Sequence, residues 1–367
     1  MEKQQFPGWL PVQVAQHYGF PLDEWDGDGQ SIAILSFGGK LDRKELRRDF
    51  KALRVPFPKL TIVDVAREYI TDQQNNAPTA ETHLDLEVVA SICPKADIHI
   101  FRGPLSFDVG FPAAINAAID AGCSVISLSW GGTEAPGFRN SDIERALRRA
   151  KAEHVTVCVS SGDRGSGGVG PGNVSPDGWA HVQYPASSPY VLACGGTQLM
   201  MDSEGYHEAA WNNSSMNRGA TGGGVSEYFA KPSWQVAGDI NLTSVNSGHS
   251  GRVVPDVAGL ASCSWKIFEQ SAGTISGGTS AVTPLYAGFL ALVNQKRASL
   301  GKANLGFINR RLYTLAAKGG VFHDITEGDN KPTDWYPGYR ARRGFDACTG
   351  WGVPRGQELF DALVKLR

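Results

Sequence analysis

Short runs that are apolar at nearly every position alternate with segments whose apolar residues recur every three or four positions through the first half of this chain. The run Ser31-Ile32-Ala33-Ile34-Leu35 reads as a buried strand closed by Gly38-Gly39. Asp42 then caps an expected helix reaching about residue 54, with Leu46, Phe50 and Leu53 at helical spacing. Further strands are predicted over residues 61–65, 96–101, 124–129 and 155–160. Helices are predicted over 79–93, 111–121 and 141–152, the first stopped by Pro94, which disfavours helical backbone in the residue before it. Apolar strands separated by amphipathic helices imply an α/β architecture, a mostly parallel sheet with helices on both faces. Sites in such sheets form at the carboxyl ends of the strands.

From about residue 162 to 276 the chain is richer in Gly, Ser and Asn, with short strands such as 190–194. No segment there reads as an interdomain linker or a repeat. Residues 1–367 are therefore taken as one large domain with loop elaborations. The 35 Lys and Arg against 37 Asp and Glu leave no basic excess, so no nucleic-acid partner is expected. Apolar residues at 41% exclude global disorder, and the 44 glycines, lacking a Gly-X-Y period, indicate turns and close backbone approaches. The apolar stretch near residues 285–293 is far shorter than the roughly 20 residues of a membrane span, so no membrane partner is expected. No apolar run follows Met1-Glu2-Lys3-Gln4-Gln5, so the chain either stays inside the cell or is a mature form without its leader. The six cysteines form no CxxC pair, and most have apolar neighbours, which suits buried free thiols but leaves a disulfide open. Asn173, Asn212, Asn213 and Asn241 head Asn-X-Ser/Thr triplets that permit glycosylation.

Candidate chemistry concentrates in Ile275-Ser276-Gly277-Gly278-Thr279-Ser280-Ala281-Val282-Thr283-Pro284. A serine at the start of a helix is either an ordinary cap or a nucleophile with free backbone N–H groups beside it. The Gly278-to-Pro284 string resembles the nucleophile motif of the subtilisin-like clan. Yet none of the eight histidines lies in the matching histidine motif, so a Ser-His-Asp triad finds no base. Glu81 and Asp85 stand four residues apart and share one face of the 79–93 helix, while His83 points roughly the opposite way. Such acids either decorate a solvated first turn or share a proton and act as a base in acid.

With these segments together, the chain resembles the sedolisins, the serine-carboxyl peptidases, and specifically their kumamolisin-type members. The resemblance covers nearly the whole chain. It includes Ser160-Ser161-Gly162-Asp163-Arg164-Gly165, Ser127-Leu128-Ser129-Trp130-Gly131-Gly132, Thr221-Gly222-Gly223-Gly224, Tyr184 to Val191 and Val254-Pro255-Asp256. It implies a subtilisin-like fold, Ser280 as nucleophile, Glu81 as base, Asp85 as its proton-sharing partner and Asp163 as oxyanion donor. Ser129, Trp130, Gly131, Gly132, Gly162, Gly223 and Gly224 would contact a polypeptide substrate. Carboxyl groups titrate near 4 and imidazole near 6.5, so activity is expected at roughly pH 3 to 5.

The resemblance further implies one structural calcium ion, held by the Asp324 and Asp346 carboxylates and the carbonyls of Ile325, Arg342 and Gly344. It implies a secreted monomer whose N-terminal prosegment is missing from this chain. Three positions depart from the family pattern: Ser36, where Glu is frequent, Arg164, where a small residue is commoner, and Gln183, where some members carry an acid. Arg164 either faces solvent or approaches Asp163. A tripeptidyl-exopeptidase of the same family, a conventional triad peptidase and an inactive binding homologue remain open alternatives.

Overall fold

The apolar runs become the strands of one sheet. The computed structural model describes residues 8–168, 177–202 and 205–366. Among these residues β1 (Ser31–Ser36), β2 (Lys59–Asp64), β3 (Asp97–Arg102), β4 (Val125–Leu128), β5 (Thr156–Ser160), β6 (Leu192–Asp202), β7 (Gly205–Ala210) and β8 (Val257–Leu260) are hydrogen-bonded side by side. Their order is β8-β6-β5-β4-β1-β3-β2, every pair parallel, with β7 turning back antiparallel on β6.

The predicted helices form where the pattern indicates: α1 (Arg43–Leu53), α2 (Ala80–Ile92), α3 (Gly110–Asp120) and α4 (Asp142–Ala152), followed by α5 (Thr279–Ser299). The Asp42 carboxylate caps α1 by accepting from the Lys44 N–H at 2.7 Å. Alternation along β1 divides the core. Ile32 and Ile34 face α2 and α5 with Leu84, Val88, Leu285 and Phe289. Ala33 and Leu35 face α3 and α4 with Phe111, Ile115, Ile143 and Leu147.

Helices α2 and α5 are buried almost all round, so they lack a polar face and run through the interior beneath the site. Pro284 lies inside α5 and has no N–H, which leaves the Ser280 carbonyl without its intrahelical donor. The Ser129 hydroxyl lies 3.3 Å from that carbonyl instead.

One strand runs further than its sequence suggests. The 190–194 segment extends to Asp202, because Gly195 and Gly196 continue β6 rather than ending it. A Cβ at either glycine would come within 2.5 Å of Pro255 or Ala261, so close packing explains both. A hairpin of β9 (Trp265–Glu269) and β10 (Ala272–Ser276) packs against α1 and α2.

The cysteines are free thiols, all buried except Cys263, and no described helix is long and apolar enough to cross a membrane. The side-chain amides of Asn212 and Asn213 are committed to Asp329, Lys331 and Gln198, whereas Asn241 is exposed. Asn173 lies outside the described residues.

Candidate active site

The carboxyl ends of β4 and β5 meet the N-termini of α2 and α5, which brings Glu81, Asp163 and Ser280 to a cleft of about 510 Å³. Ser280 is the second residue of α5, and its N–H finds no acceptor among the described residues. A free donor at the positive end of a helix suits an incoming oxyanion. Gly278, just before the helix, has φ +100°, and a Cβ there would stand 2.5 Å from Asp163 Oδ2. Only glycine lets the acid approach so closely.

Asp163 is held by one oxygen. Its Oδ1 accepts the Thr279 N–H and the Thr279 hydroxyl, each at 2.8 Å. Thr279 Oγ1 in turn accepts the Gly162 N–H at 3.1 Å, which orients the hydroxyl toward Asp163. With both donors on Oδ1, a neutral Asp163 carries its proton on Oδ2. Burial raises this carboxyl above its ordinary range, against the opposing Thr279 hydrogen bonds and the weaker pull of Arg164. Arg164 is half-buried and lines the cleft, so it faces the site rather than open solvent.

Glu81 lines the cleft with Ser280; burial raises its carboxyl to about 7, and the Ser280 hydroxyl, which favours the ionised form, opposes the shift. Asp85, one turn along α2, is 0% exposed. Burial, then the Glu81 charge, hold it well above its usual range. Its Oδ1 lies 2.7 Å from the Ser129 hydroxyl. Glu81 Oε1 and Asp85 Oδ2 are both buried without a partner among the described residues. Two ionised carboxylates offer only acceptors, so one shared proton resolves the crowding of this pair.

Ser129, Trp130, Gly131, Gly132 and Gly162 line the cleft with the three chemical groups. Gly223 and Gly224 do not. They sit behind the wall, where a Cβ on Gly223 would fall 2.2 Å from the Ala347 carbonyl and one on Gly224 2.9 Å from the Tyr339 ring. Their neighbour Gly222 donates to the Gly162 carbonyl at 2.7 Å, so this segment braces the cleft from behind. The Val254-Pro255-Asp256 segment is likewise structural: Asp256 is buried against Arg252 at 2.7 Å and the Tyr313 hydroxyl at 2.6 Å.

Sequence reasoning passed over Thr133, Ser160, Gly168 and Thr279, which also line the cleft. Of these, Thr279 was reachable, because its motif position beside the nucleophile was visible. Gln183 reaches the cleft too and donates to the Gly168 carbonyl. Ser36 is buried and shares a 2.7 Å hydrogen bond with Thr82 on α2, while Trp130 Nε1 is buried without a partner among the described residues.

No histidine lines the cleft among the described residues. His83 turns away from Glu81, its Nδ1 3.4 Å from Asp49. Late in the chain, the Asp324 carboxylate accepts the Gly344 N–H at 2.8 Å, and the Asp346 carboxylate accepts the Arg342 N–H at 3.0 Å. The carbonyls of Ile325, Arg342 and Gly344 accept no hydrogen bond among the described residues. Asp346 also accepts the Cys348 and Thr349 N–H groups, so the two carboxylates hold the 342–349 loop through its backbone, and the oxygens gathered in this segment are of the kind a hard cation takes.

The Subtilase family model matches residues 69–352. Kumamolisin from a Bacillus species is 40% identical across 97% of this chain, and tripeptidyl-peptidase sed1 from Aspergillus fumigatus is 30% identical across 72% of it. The chain spans 64% and 44% of those two relatives. The structure of Pseudomonas sedolisin, a serine-carboxyl proteinase complexed with two molecules of pseudo-iodotyrostatin, matches with a TM-score of 0.79 and 26% identity. That match covers 97% of this chain and 98% of that one. The chain belongs to the subtilase family, as a sedolisin of the kumamolisin type.

Proposed function

We propose that this chain is an acid-active serine-carboxyl endopeptidase. The observation that carries the reading is that Ser280 shares its cleft with Glu81, whose Oε1 is buried and unpartnered among the described residues, and with no described histidine. Glu81 takes the hydroxyl proton as Ser280 Oγ bonds to the carbonyl carbon of a peptide. The proton then passes to the leaving nitrogen as the C–N bond breaks and an acyl ester remains on Ser280. Water, deprotonated by the same carboxylate, attacks the ester, and the proton returns to Ser280 Oγ.

Asp85 holds the second proton of the pair and is aligned by Ser129. Asp163, neutral through burial, donates from Oδ2 to the developing oxyanion alongside the Ser280 N–H. The active combination, one proton shared by Glu81 and Asp85 beside a protonated Asp163, belongs below neutral, since burial pushes the Glu81 carboxyl up to about 7; we set its working range at roughly pH 3 to 5. Such a range fits an extracellular setting and polypeptide substrates, met by a monomer that engages neither nucleic acid nor membrane.

The Asp324 and Asp346 carboxylates with the carbonyls of Ile325, Arg342 and Gly344 would hold one Ca²⁺, which ties the late loops together and takes no part in the reaction. Because sed1 is named a tripeptidyl-peptidase, an exopeptidase that releases tripeptides is the second reading. Digestion of a denatured protein at pH 4 separates the two. Internal fragments support the endopeptidase, tripeptides alone support the exopeptidase, and an intact substrate contradicts both.

A further inference from the structure

Behind the catalytic helix lies a second cluster of chemical groups. Helix α1 presents Glu45 and Asp49, four residues apart, and α2 presents His83 and Glu87, also four apart. One potential ligand atom from each of Glu45, Asp49 and His83 lies within 4.8 Å of the other two. Asp49 is 0% exposed and His83 1%, while Glu45 is half-exposed and opens the cluster to solvent.

The buried carboxylate is half-used. Asp49 Oδ1 accepts the Ser271 N–H at 2.5 Å, in the turn between β9 and β10. Asp49 Oδ2 is buried without a hydrogen bond among the described residues and faces His83 Nδ1 at 3.4 Å. Glu87 accepts the Phe268 N–H at 3.0 Å and receives like charge from Asp49 and Glu269. The His83–Asp49 pair is long, Nδ1 to Oδ2 at 3.4 Å with Nδ1 also 3.5 Å from the Phe268 carbonyl, and it leaves Glu45 idle. A cation placed between the three groups engages all of them and offsets the negative charge gathered there.

We propose that Glu45, Asp49 and His83 form a binding site for a divalent transition-metal ion of the Zn²⁺ type. An imidazole nitrogen among the ligands favours Zn²⁺ over Ca²⁺, which takes oxygen. Three protein ligands leave a fourth, solvent-facing position on the Glu45 side. The ion would clamp α1 to α2 through His83, two residues along the helix from both Glu81 and Asp85, on the face opposite the cleft. It would support the placement of those acids without touching substrate.

The test uses the whole protein at pH 7, stripped of transition metals and kept saturated with Ca²⁺, with Co²⁺ as the spectroscopic probe. One equivalent of Co²⁺ gives visible d–d bands of a four-coordinate nitrogen–oxygen site, and one equivalent of Zn²⁺ displaces them and raises Tm. Glu45→Gln, at a half-exposed position, keeps the metal-free Tm and lowers Co²⁺ affinity about tenfold or more. His83→Ala abolishes the bands. If that buried change prevents folding, Glu45→Gln decides alone. Absence of d–d bands in the wild type, or affinity unchanged in the variants that fold, overturns the proposal.

Discussion

Thr279 binds Asp163 twice through a single oxygen, its N–H and its hydroxyl both 2.8 Å from Oδ1. The residue before the nucleophile therefore decides which oxygen of the acid faces the cleft. Thr279→Val removes the hydroxyl and keeps the N–H. We expect kcat to fall by up to about tenfold with little change in KM, since one hydrogen bond to the neutral acid contributes on the order of 0.5–1.5 kcal/mol. The lost donor favoured the ionised acid, so the alkaline limb of the pH profile should move upward. Unchanged kcat and profile would contradict this role.

Asp163→Asn tests the same geometry from the other side. The Thr279 donors require an acceptor where Oδ1 stands, so the amide oxygen takes that place and Nδ2 points to the cleft. The variant keeps a donor that does not titrate. Its activity should exceed that of Asp163→Ala, which loses about 10²–10³ in kcat, and should persist to higher pH than wild type. Steady-state pH profiles of the three proteins check this.

Legibility in the sequence followed local signals. The buried strands, the capped helices and the nucleophile string could be read because each is a contiguous pattern. Glu81 and Asp85 were identifiable as a pair because helical spacing puts them on one face. The grip of Thr279 on Asp163 joins positions 116 residues apart and leaves no local mark. Gly223 and Gly224 misled for a physical reason: glycines needed for tight packing behind a wall have the same composition as glycines facing a substrate. The Gly195-Gly196 pair hid the length of β6 in the same way.

Stability should fall as pH rises from acid to neutral. Burial pushes the Glu87 carboxyl up to about 8, and those of Glu134 and Glu144 up to about 7, from an ordinary 4.5. Below 4.5 these groups are protonated in both the folded and unfolded chain. Between 4.5 and 7–8 the unfolded chain ionises while the folded one retains its protons, so the stability they contribute in acid is lost. Calorimetry at saturating Ca²⁺ should give a higher Tm at pH 4.5 than at pH 8. The reverse order would contradict the burial of these acids.

Chelation should act on stability before chemistry. EDTA is expected to lower Tm by several degrees and added Ca²⁺ to restore it, as follows from selective binding to the folded state. Asp324→Asn, which removes one charged ligand, should need more Ca²⁺ to reach the same Tm. A Tm indifferent to EDTA in the wild type would contradict the calcium assignment.

The central claim is that a carboxyl group, in place of an imidazole, activates Ser280. The most direct measurement is kcat/KM against pH for wild type and Glu81→Ala, on a peptide substrate between pH 2 and 9. The account predicts an acid maximum for wild type, near pH 3 to 5, and a loss of at least about 10³ in the variant. A wild-type optimum above about pH 7, or a Glu81→Ala protein with full activity, would contradict it.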